Sequence, residues 1–428
     1  MTAADIHRTI EAIWRIEAAR LIAGLARLVR DVGLAEDFAQ EALVAALERW
    51  PESGVPDNPG AWLMATGKHR AIDHLRRTQR LVRKHEELGH ELEAWHDPAA
   101  TGPDAALDDE IGDGLLRLMF TACHPVLSTE ARVALTLRLL GGLTTAEIAR
   151  AFLLAEPAMA QRIVRAKRAL SEAHVPFEVP RGAERAARLS SVLEVVYLIF
   201  NEGYTATAGD DWMRPGLCED ALRLGRILAE LVPPEPEVHG LVALMELQAS
   251  RLKARVDASG QPVLLPDQNR ARWDRLLIGR GLAALDRADR LSGTPGPYAL
   301  QAAIAACHAR APAPEDTDWR RIVACYEALA HIAPSPVVEL NRAVAVAMAS
   351  GPAAGLALVD TLTAEPALRE YHLLPSVRGD LLKKLGRFAE ARAEFERAAS
   401  LTRNVRERDL SLARAAECAE AAASSAPR

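Results

Sequence analysis

The sequence contains few aromatic residues, few cysteines and no long uncharged apolar run. Aromatic residues make up 4% of the 428 residues, whereas alanine, leucine and arginine abound, and this composition favours helices over strands. The five cysteines are scattered and include no C-x-x-C pair, which excludes a disulfide framework and the usual zinc cage. The longest apolar stretch, VLEVVYLIF, is short and contains Glu194, so no membrane span is predicted.

Signal sequences and ligand clusters are missing as well. The first residues include Asp5 and Glu11 and lack the apolar core of a secretory signal. His85 and His90 in HEELGH are five positions apart, whereas two zinc-binding histidines on one helical face are four apart. We therefore expect an all-α cytoplasmic protein of two or three domains, with no metal, no cofactor and no membrane contact.

Charge is distributed unevenly along the chain. The formal net charge is −6, but residues 68–84 hold seven basic residues and one acidic residue, a net charge of +6. Residues 85–113 hold ten acidic residues and no lysine or arginine, and residues 162–168 hold four basic residues. Two basic segments thus flank an acidic one, an arrangement that suits bivalent contact with an extended polyanion.

The first part of the chain is predicted to be helical. In AEDFAQEALVAALERW the apolar residues Leu43, Leu47 and Trp50 recur with helical spacing. Another face is polar and mostly acidic, and it consists of Asp37, Gln40, Glu41 and Glu48. After a loop rich in proline, Asn58 is predicted to cap a helix that starts at Pro59. One basic face of that helix consists of Arg70, His74, Arg77 and Lys84.

LTTAEIARAFLLAEPAMAQRIVRAKRAL predicts a helix-turn-helix. Thr144 and Glu147 form a capping-box pattern that fixes the start of one helix, and Pro157 suits the first turn of the next. The second helix has an apolar stripe formed by Met159, Ile163, Ala166 and Leu170. Its opposite side carries Gln161, Arg162, Arg165 and Arg168. A recognition helix in the major groove needs this division, because arginine can bridge guanine atoms and glutamine can pair with adenine.

From about residue 176 the chain consists of alanine- and leucine-rich helical stretches with short breaks. Three similar segments place Tyr326, Val359 and Phe395 in register, with spacings of 33 (359 − 326) and 36 (395 − 359) residues. Tetratricopeptide repeats are about 34 residues long. We therefore expect an α-solenoid of paired helices in this half.

Other interpretations of these patterns remain open. Basic residues near a helix end also favour the helix dipole and solubility without any ligand. A helix-turn-helix regulator that binds duplex DNA alone, with a ligand-sensing solenoid, would not need the acidic face. A peptide-binding scaffold would make the basic segments incidental. An enzyme is not expected, because the nearest candidate pair, Cys123 and His124, consists of sequence neighbours that point apart on a helix.

Two segments resemble the sigma-70 family of bacterial RNA polymerase subunits. AEDFAQEALVAALERW followed by NPGAWLMATGKHRAIDHLRR resembles region 2, and GGLTTAEIARAFLLAEPAMAQRIVRAKRAL resembles region 4. The match is to the extracytoplasmic-function group, which keeps only these two domains. The resemblance implies a region 2 domain over 1–85, an acidic linker over 86–112, a region 4 domain over 113–175 and a tetratricopeptide-like regulatory domain over 176–428.

The resemblance also implies partners and contact residues. Core RNA polymerase is expected to bind the D-x-x-Q-E signature, which is here Asp37, Gln40 and Glu41. The −10 promoter DNA is expected to contact Trp62, Lys68, His69, Arg70, His74 and Arg77. The −35 DNA is expected to contact Gln161, Arg162, Arg165, Lys167 and Arg168. The implied protein is a non-enzymatic sigma factor that directs polymerase to promoters and initiates transcription.

Some features depart from or extend this pattern. His69 and Ala160 stand where the family usually has Asn and Lys, which puts the promoter sequence in question. YLIFNEGYTAT, residues 197–207, resembles the hallmark of a subgroup whose tetratricopeptide-like extension regulates activity. Its central residues are Asn201, Glu202, Gly203 and Tyr204. They form either a regulatory contact with the sigma part or a plain helix end with a left-handed glycine cap. A regulatory protein or ligand is the partner expected at the solenoid.

Overall fold

The computed structural model describes residues 3–86, 105–258 and 260–425. The chain divides into two compact units, residues 1–196 and residues 197–428. Nearly all regular structure in the described ranges is α-helix, which confirms the all-α fold class. None of these helices combines the length and apolar character that crossing a membrane requires.

The first unit is built from eight helices of the described residues, the last of which continues into the second unit. They are α1 (Ala3–Val29), α2 (Val32–Ser53), α3 (Pro59–Glu86), α4 (Ala105–Ala122), α5 (Thr129–Leu139), α6 (Thr145–Ala151), α7 (Glu156–Glu172) and α8 (Gly182–Tyr204). Helix α4 begins at Ala105, within the segment predicted as linker. The part of that segment over 87–104 lies outside the described residues.

Helices α1, α2 and α3 pack on one another around a largely apolar core. Asp31 starts α2 by accepting a hydrogen bond from the amide of Leu34 at 2.9 Å. Asn58 accepts one from the amide of Ala61 at 3.0 Å, which confirms the predicted cap of α3. The buried side chains at the centre include Ile22, Leu25, Phe38, Trp50 and Leu63.

The helix-turn-helix is confirmed as α6 and α7, joined by the four residues 152–155. Thr144 Oγ1 accepts from the amide of Glu147 at 3.1 Å, and Glu147 Oε2 accepts from the amide of Thr144 at 2.8 Å. This reciprocal pair is the predicted capping box. The predicted apolar stripe of α7 is also buried, and it consists of Met159, Ile163, Ala166 and Leu170.

A buried carboxylate joins the α1–α3 bundle to the helices that follow it. The side chain of Glu36 on α2 is only 3% exposed, and its Oε1 lies 2.6 Å from Nε of Arg138 on α5. Its other oxygen forms an ion pair with Lys167 on α7. At the rim, Arg15 on α1 binds Glu147 at 2.6 Å. Because a buried charge must be paired, Glu36 fixes α2 against α5 and α7.

The second unit contains ten further helices of the described residues, and each packs against the next along the chain. They are α9 (Pro215–Leu231), α10 (Pro236–Ala249), α11 (Arg275–Leu291), α12 (Pro297–Arg310), α13 (Trp319–Ile332), α14 (Pro336–Ser350), α15 (Pro352–Leu362), α16 (Leu373–Lys384), α17 (Phe388–Leu401) and α18 (Val405–Ser425). Two short strands, β1 (Ala208–Gly209) and β2 (Arg403–Asn404), pair in parallel.

The three residues aligned in the sequence lie at equivalent places, on α13, α15 and α17. Val359 and Phe395 are fully buried, and Tyr326 is half-buried. Gly379 allows the ring of Phe395 to approach α16 to about van der Waals contact, since a Cβ there would lie 3.0 Å from that ring. Helix pairing thus agrees with an α-solenoid, while the tetratricopeptide-like assignment stays a prediction.

Removing both cations from Glu36 should destabilise the first unit. The double substitution Arg138→Met and Lys167→Met leaves a buried carboxylate without a partner, which costs about 3–5 kcal/mol of unfolding free energy. We expect faster native-state hydrogen exchange of the amides of α2 and α7, which reports this loss directly. Adding Glu36→Gln to the double variant should restore much of the protection, because the unpaired charge is gone.

A matched control is Arg168→Met, which removes a cation from an exposed pair with Glu172. It should leave the exchange of α2 unchanged. Equal protection in the double variant and the native protein would show that Glu36 does not hold these helices together.

Candidate nucleic-acid interface

The acidic face of α2 is accessible to a partner. The side chains of Asp37 and Glu41 are 63% and 48% exposed, and Gln40 is half-buried between them. Asp37 lies 3.3 Å from Nζ of Lys167, and Glu41 lies 2.8 Å from Arg70. Pairs as exposed as Glu41 with Arg70 contribute only about 0–1 kcal/mol. This face can therefore exchange its intramolecular cations for those of a basic partner at small cost.

The predicted −10 residues on α3 divide into two groups. Those that face solvent are Lys68, His69, Arg70 and Arg77. His69 lies 3.4 Å from Asp73 one turn along the helix. The other two predicted residues are half-buried and pack on α2. The ring of His74 lies 5.5 Å from that of Phe38, and Trp62 stands edge-on to Trp50 at 5.3 Å.

Helix α7 presents one continuous exposed face. Gln161, Arg165 and Arg168 follow the spacing i, i+4, i+7 and are all exposed. Arg168 lies 2.6 Å from Glu172, and Arg162 is half-buried at the edge of the face. The arrangement offers guanidinium and amide donors on one side of a rigid helix, as reading a DNA groove requires.

Lys167 lies elsewhere on α7. Its side chain is only 18% exposed and is ion-paired with Glu36 and Asp37. It follows Ile163 by four positions, so it belongs to the flank that faces α2 rather than to the exposed face. In this arrangement the structure brings Lys167 together with the predicted polymerase-binding residues and not with the other predicted −35 residues.

Sequence reasoning did not identify three residues of this region. Val164 is 61% exposed on the outer side of α7 next to Arg165, where a methyl group can contact a thymine. Glu36 and Arg138 complete the buried ion cluster. The spacing of Lys167 from the apolar stripe was a signal that it turns inward. Helical spacing also separates Glu36 from Asp37, because Glu36 stands three positions before buried Ala39 and seven before Leu43, whereas Asp37 falls on the acidic face.

The candidate thiol of the enzyme alternative is inert. Cys123 is 1% exposed, and burial raises the pKa of its thiol to about 11. Burial together with Arg188 lowers the pKa of His124 below its ordinary value. A thiol with this pKa is almost wholly protonated at neutral pH and is a poor nucleophile. Within the ranges that the structure describes, no group of three or more His, Cys, Asp and Glu side chains is placed to hold a metal.

The alternative of a plain helix end with a left-handed cap at Gly203 is wrong. Helix α8 continues to Tyr204, and Gly203 lies inside the helix without a left-handed conformation. The physical reason is close packing, because a Cβ on Gly203 would lie 2.7 Å from the backbone nitrogen of Cys218. Glycine is thus needed for the approach of α9 rather than for a cap.

The neighbours of Gly203 are held within the second unit. Asn201 is exposed, whereas Glu202 is buried and forms an ion pair with Arg214. The guanidinium of Arg255 lies 3.6 Å from the ring centroid of Tyr204, and it also donates to the carbonyl of that residue. These contacts give Glu202 and Tyr204 structural partners of their own.

The loop after Tyr204 is tied to the last part of the chain. Asn404 is fully buried, and its side-chain amide donates to the carbonyl of Ala206 at 3.1 Å and to that of Asp211 at 2.9 Å. Strand β2, which contains Asn404, pairs with β1 in the same loop. The hallmark segment therefore connects the beginning and the end of the second unit.

Comparison with known proteins assigns the segments of the chain. The sigma-70 region 2 family matches residues 15–81, and the sigma-70 region 4 family matches residues 117–170. A family of unknown function (DUF6596) matches residues 188–289. The uncharacterized protein R00370 of Rhizobium meliloti (strain 1021) is 47% identical over 384 residues, which cover 90% of this chain and 89% of that protein.

A second relative carries a functional description. The probable ECF RNA polymerase sigma factor SigI of Mycobacterium tuberculosis (strain H37Rv) is 29% identical over 185 residues, which cover 42% of this chain and 60% of SigI. Sigma-70 proteins are transcription initiation factors and not enzymes. With both sigma regions matched in order, the chain belongs to the extracytoplasmic-function group of the sigma-70 family and carries a C-terminal extension.

Proposed function

We propose that this sigma factor binds core RNA polymerase through α2, engages the −10 element through α3 and reads the −35 element through α7. The observation that carries the proposal is the exposure of two oppositely charged faces in one unit. The acidic face contains Asp37 and Glu41, and the cationic face contains Arg165 and Arg168. A protein that bound DNA alone would need only the second.

Polymerase docking is supported by the charge and accessibility of α2. The carboxylates of Asp37 and Glu41 lie one turn apart and point outward. A basic surface on the polymerase would be attracted to them, and complementary charge accelerates and orients association. Glu36 takes no part in this docking, because its side chain is 3% exposed.

Promoter contact is supported by the exposed cations of α3 and α7. Lys68 and Arg77 face solvent on α3 and can neutralise phosphates of an unpaired strand. On α7, Gln161 and Arg165 can reach base edges, with Val164 between them as an apolar contact. Lys167 would join this interface only after leaving Glu36.

The C-terminal extension is proposed to modulate the activity of the sigma regions. It forms a compact unit over residues 197–428 with its own buried core. A unit of this size with many paired helices provides a large surface for a regulatory protein or ligand. Its helices are not required for the proposed DNA contacts, which all lie in the first unit.

Charge reversal on α2 should abolish polymerase capture. Asp37→Lys together with Glu41→Lys replaces two attractive contacts with repulsive ones, and we expect association with core polymerase to weaken by about tenfold or more. Co-purification and surface plasmon resonance with core polymerase measure this. Asp286→Lys together with Asp289→Lys reverses two exposed charges of the second unit, away from this face, and should bind normally. Full capture by the double variant would rule out α2 as the docking face.

Truncation of arginines on α7 should weaken promoter binding by the polymerase complex. Arg162→Ala and Arg165→Ala should each cost about 1–3 kcal/mol where a base contact is lost. Electrophoretic mobility shift of promoter DNA with the reconstituted holoenzyme gives the change. Arg392→Ala removes an exposed arginine of the second unit and serves as the control. Tight binding of duplex promoter DNA without polymerase would instead favour a stand-alone regulator.

Removing the extension should change the amount of transcript. A chain ending at Val196 retains the contacts of Arg188 with the carbonyl of Phe120 and of Arg132 with Glu194. Run-off transcription with core polymerase compares it with the full chain, and circular dichroism confirms that the fragment is helical. More transcript indicates restraint by the extension, and less indicates that the extension is needed. Equal transcript from both forms would contradict modulation.

A further inference from the structure

A large polar cavity lies in the first unit, beside the helix-turn-helix and away from the exposed face of α7. Its volume is about 1370 Å³. The walls come from the end of α1, the start of α2, the middle of α4, the end of α7 and the segment 175–185 that leads into α8. Ligand pockets for small organic molecules commonly have volumes of about 300–1,000 Å³, so a nucleotide-sized molecule fits.

Cationic side chains line this cavity from three directions. Arg27 lies in the last turn of α1 and Arg30 directly follows that helix, Arg117 lies on α4, Arg181 directly precedes α8, and Arg185 lies in the first turn of α8. Arg30 and Arg181 are exposed, and the contacts known for the described residues give neither side chain a partner. The buried Nε of Arg117 also lacks a hydrogen-bond partner among those residues. Arginine prefers anions that accept several hydrogen bonds at once.

Most acidic residues of the lining already have a hydrogen-bond or ion-pair partner. Asp31 caps the amide of Leu34 at 2.9 Å, Asp113 is ion-paired with Arg117, and Glu184 binds Arg188 at 3.1 Å. Glu178 is exposed and has no such contact within the described part of the chain. The start of α8 at Gly182 adds the partial positive charge of a helix N-terminus to the same wall. The lining holds six cationic side chains and four acidic ones, a formal net charge of +2 (6 − 4).

We propose that this cavity binds a small anion with two or more linked phosphate groups. Guanidinium groups from the end of α1, from α4 and from the start of α8 line the same space. A polyphosphate chain can bind several of them at once, whereas a single monovalent anion cannot. Half-buried Phe177 forms part of the wall and offers a ring on which a nucleoside base can stack. Lys167 lines the other side, so the occupied site adjoins the ion pair with Glu36 and Asp37.

The site would connect a small molecule to the placement of the helix-turn-helix. A ligand that contacts both α1 and the start of α8 bridges the region 2 bundle and the segment that follows α7. A ligand that binds this arrangement, in which Lys167 is paired with Glu36, stabilises it by mass action over any arrangement that lacks the site. The cavity lies apart from the exposed face of α7 and does not depend on which promoter the protein reads.

Isothermal titration of the full chain with tripolyphosphate tests the site. We expect one bound anion per chain and a dissociation constant that rises about tenfold or more in the Arg30→Ala, Arg181→Ala double variant. Both side chains are exposed, so this variant should fold. The matched control, Arg49→Ala with Arg369→Ala, removes the same charge from exposed positions outside the cavity and should bind like the native chain.

Two further comparisons distinguish this cavity from anion binding elsewhere on the chain. If Arg162→Ala with Arg165→Ala abolishes tripolyphosphate binding and the cavity variant does not, the anion sits on the DNA-reading face and the proposal is overturned. Equal binding by the cavity variant and its control overturns it too. Tighter binding of ATP than of tripolyphosphate, lost on Phe177→Ala, identifies a nucleotide as the source of the phosphates, and equal binding identifies free polyphosphate. All of these binding measurements can be made without transcription, so they are independent of the proposed promoter contacts.

Discussion

The ion cluster around Glu36 is the constraint on which the first unit depends. A carboxylate that is 3% exposed has lost nearly all of its water, and among the described residues Arg138 and Lys167 are the cations that compensate for that loss. Because these cations come from α5 and α7, Glu36 fixes the position of region 2 relative to region 4. Any displacement of α7 along α2 would leave the buried carboxylate unpaired, so the cluster favours one position of the two helices.

The same cluster links the acidic face of α2 to a cation of α7. Lys167 contacts both buried Glu36 and exposed Asp37, so a cation of the helix-turn-helix partly neutralises the acidic face of α2. Arg70 does the same for Glu41 from within the first bundle. Polymerase and DNA would both draw on groups that satisfy each other in the isolated chain. Under the proposed function, their binding is coupled to the opening of the partly exposed ion pairs of Lys167 with Asp37 and of Arg70 with Glu41.

Local patterns in the sequence predicted much of the fold. The capping box at Thr144 and the cap at Asn58 could be predicted because their partners lie three residues away, and the apolar stripe of α7 because its members recur every three or four residues. Contacts between residues far apart in the sequence could not be predicted from local patterns. Lys167 was expected on the DNA side, yet its partner Glu36 is 131 residues away in the chain (167 − 36). Gly203 looked like a cap because nothing local reveals that α9 packs against it.

The link from Asn404 to the loop at Ala206 bears on how the protein is made. The first unit ends at Val196, so all of its partners have been synthesised by then. The second unit lacks its closing contact until Asn404 has emerged, 208 residues later (404 − 196). At a ribosomal rate of about 5–20 residues per second, that interval is roughly 10–40 s. During it a nascent chain carries finished sigma regions attached to an extension that still awaits its last segment.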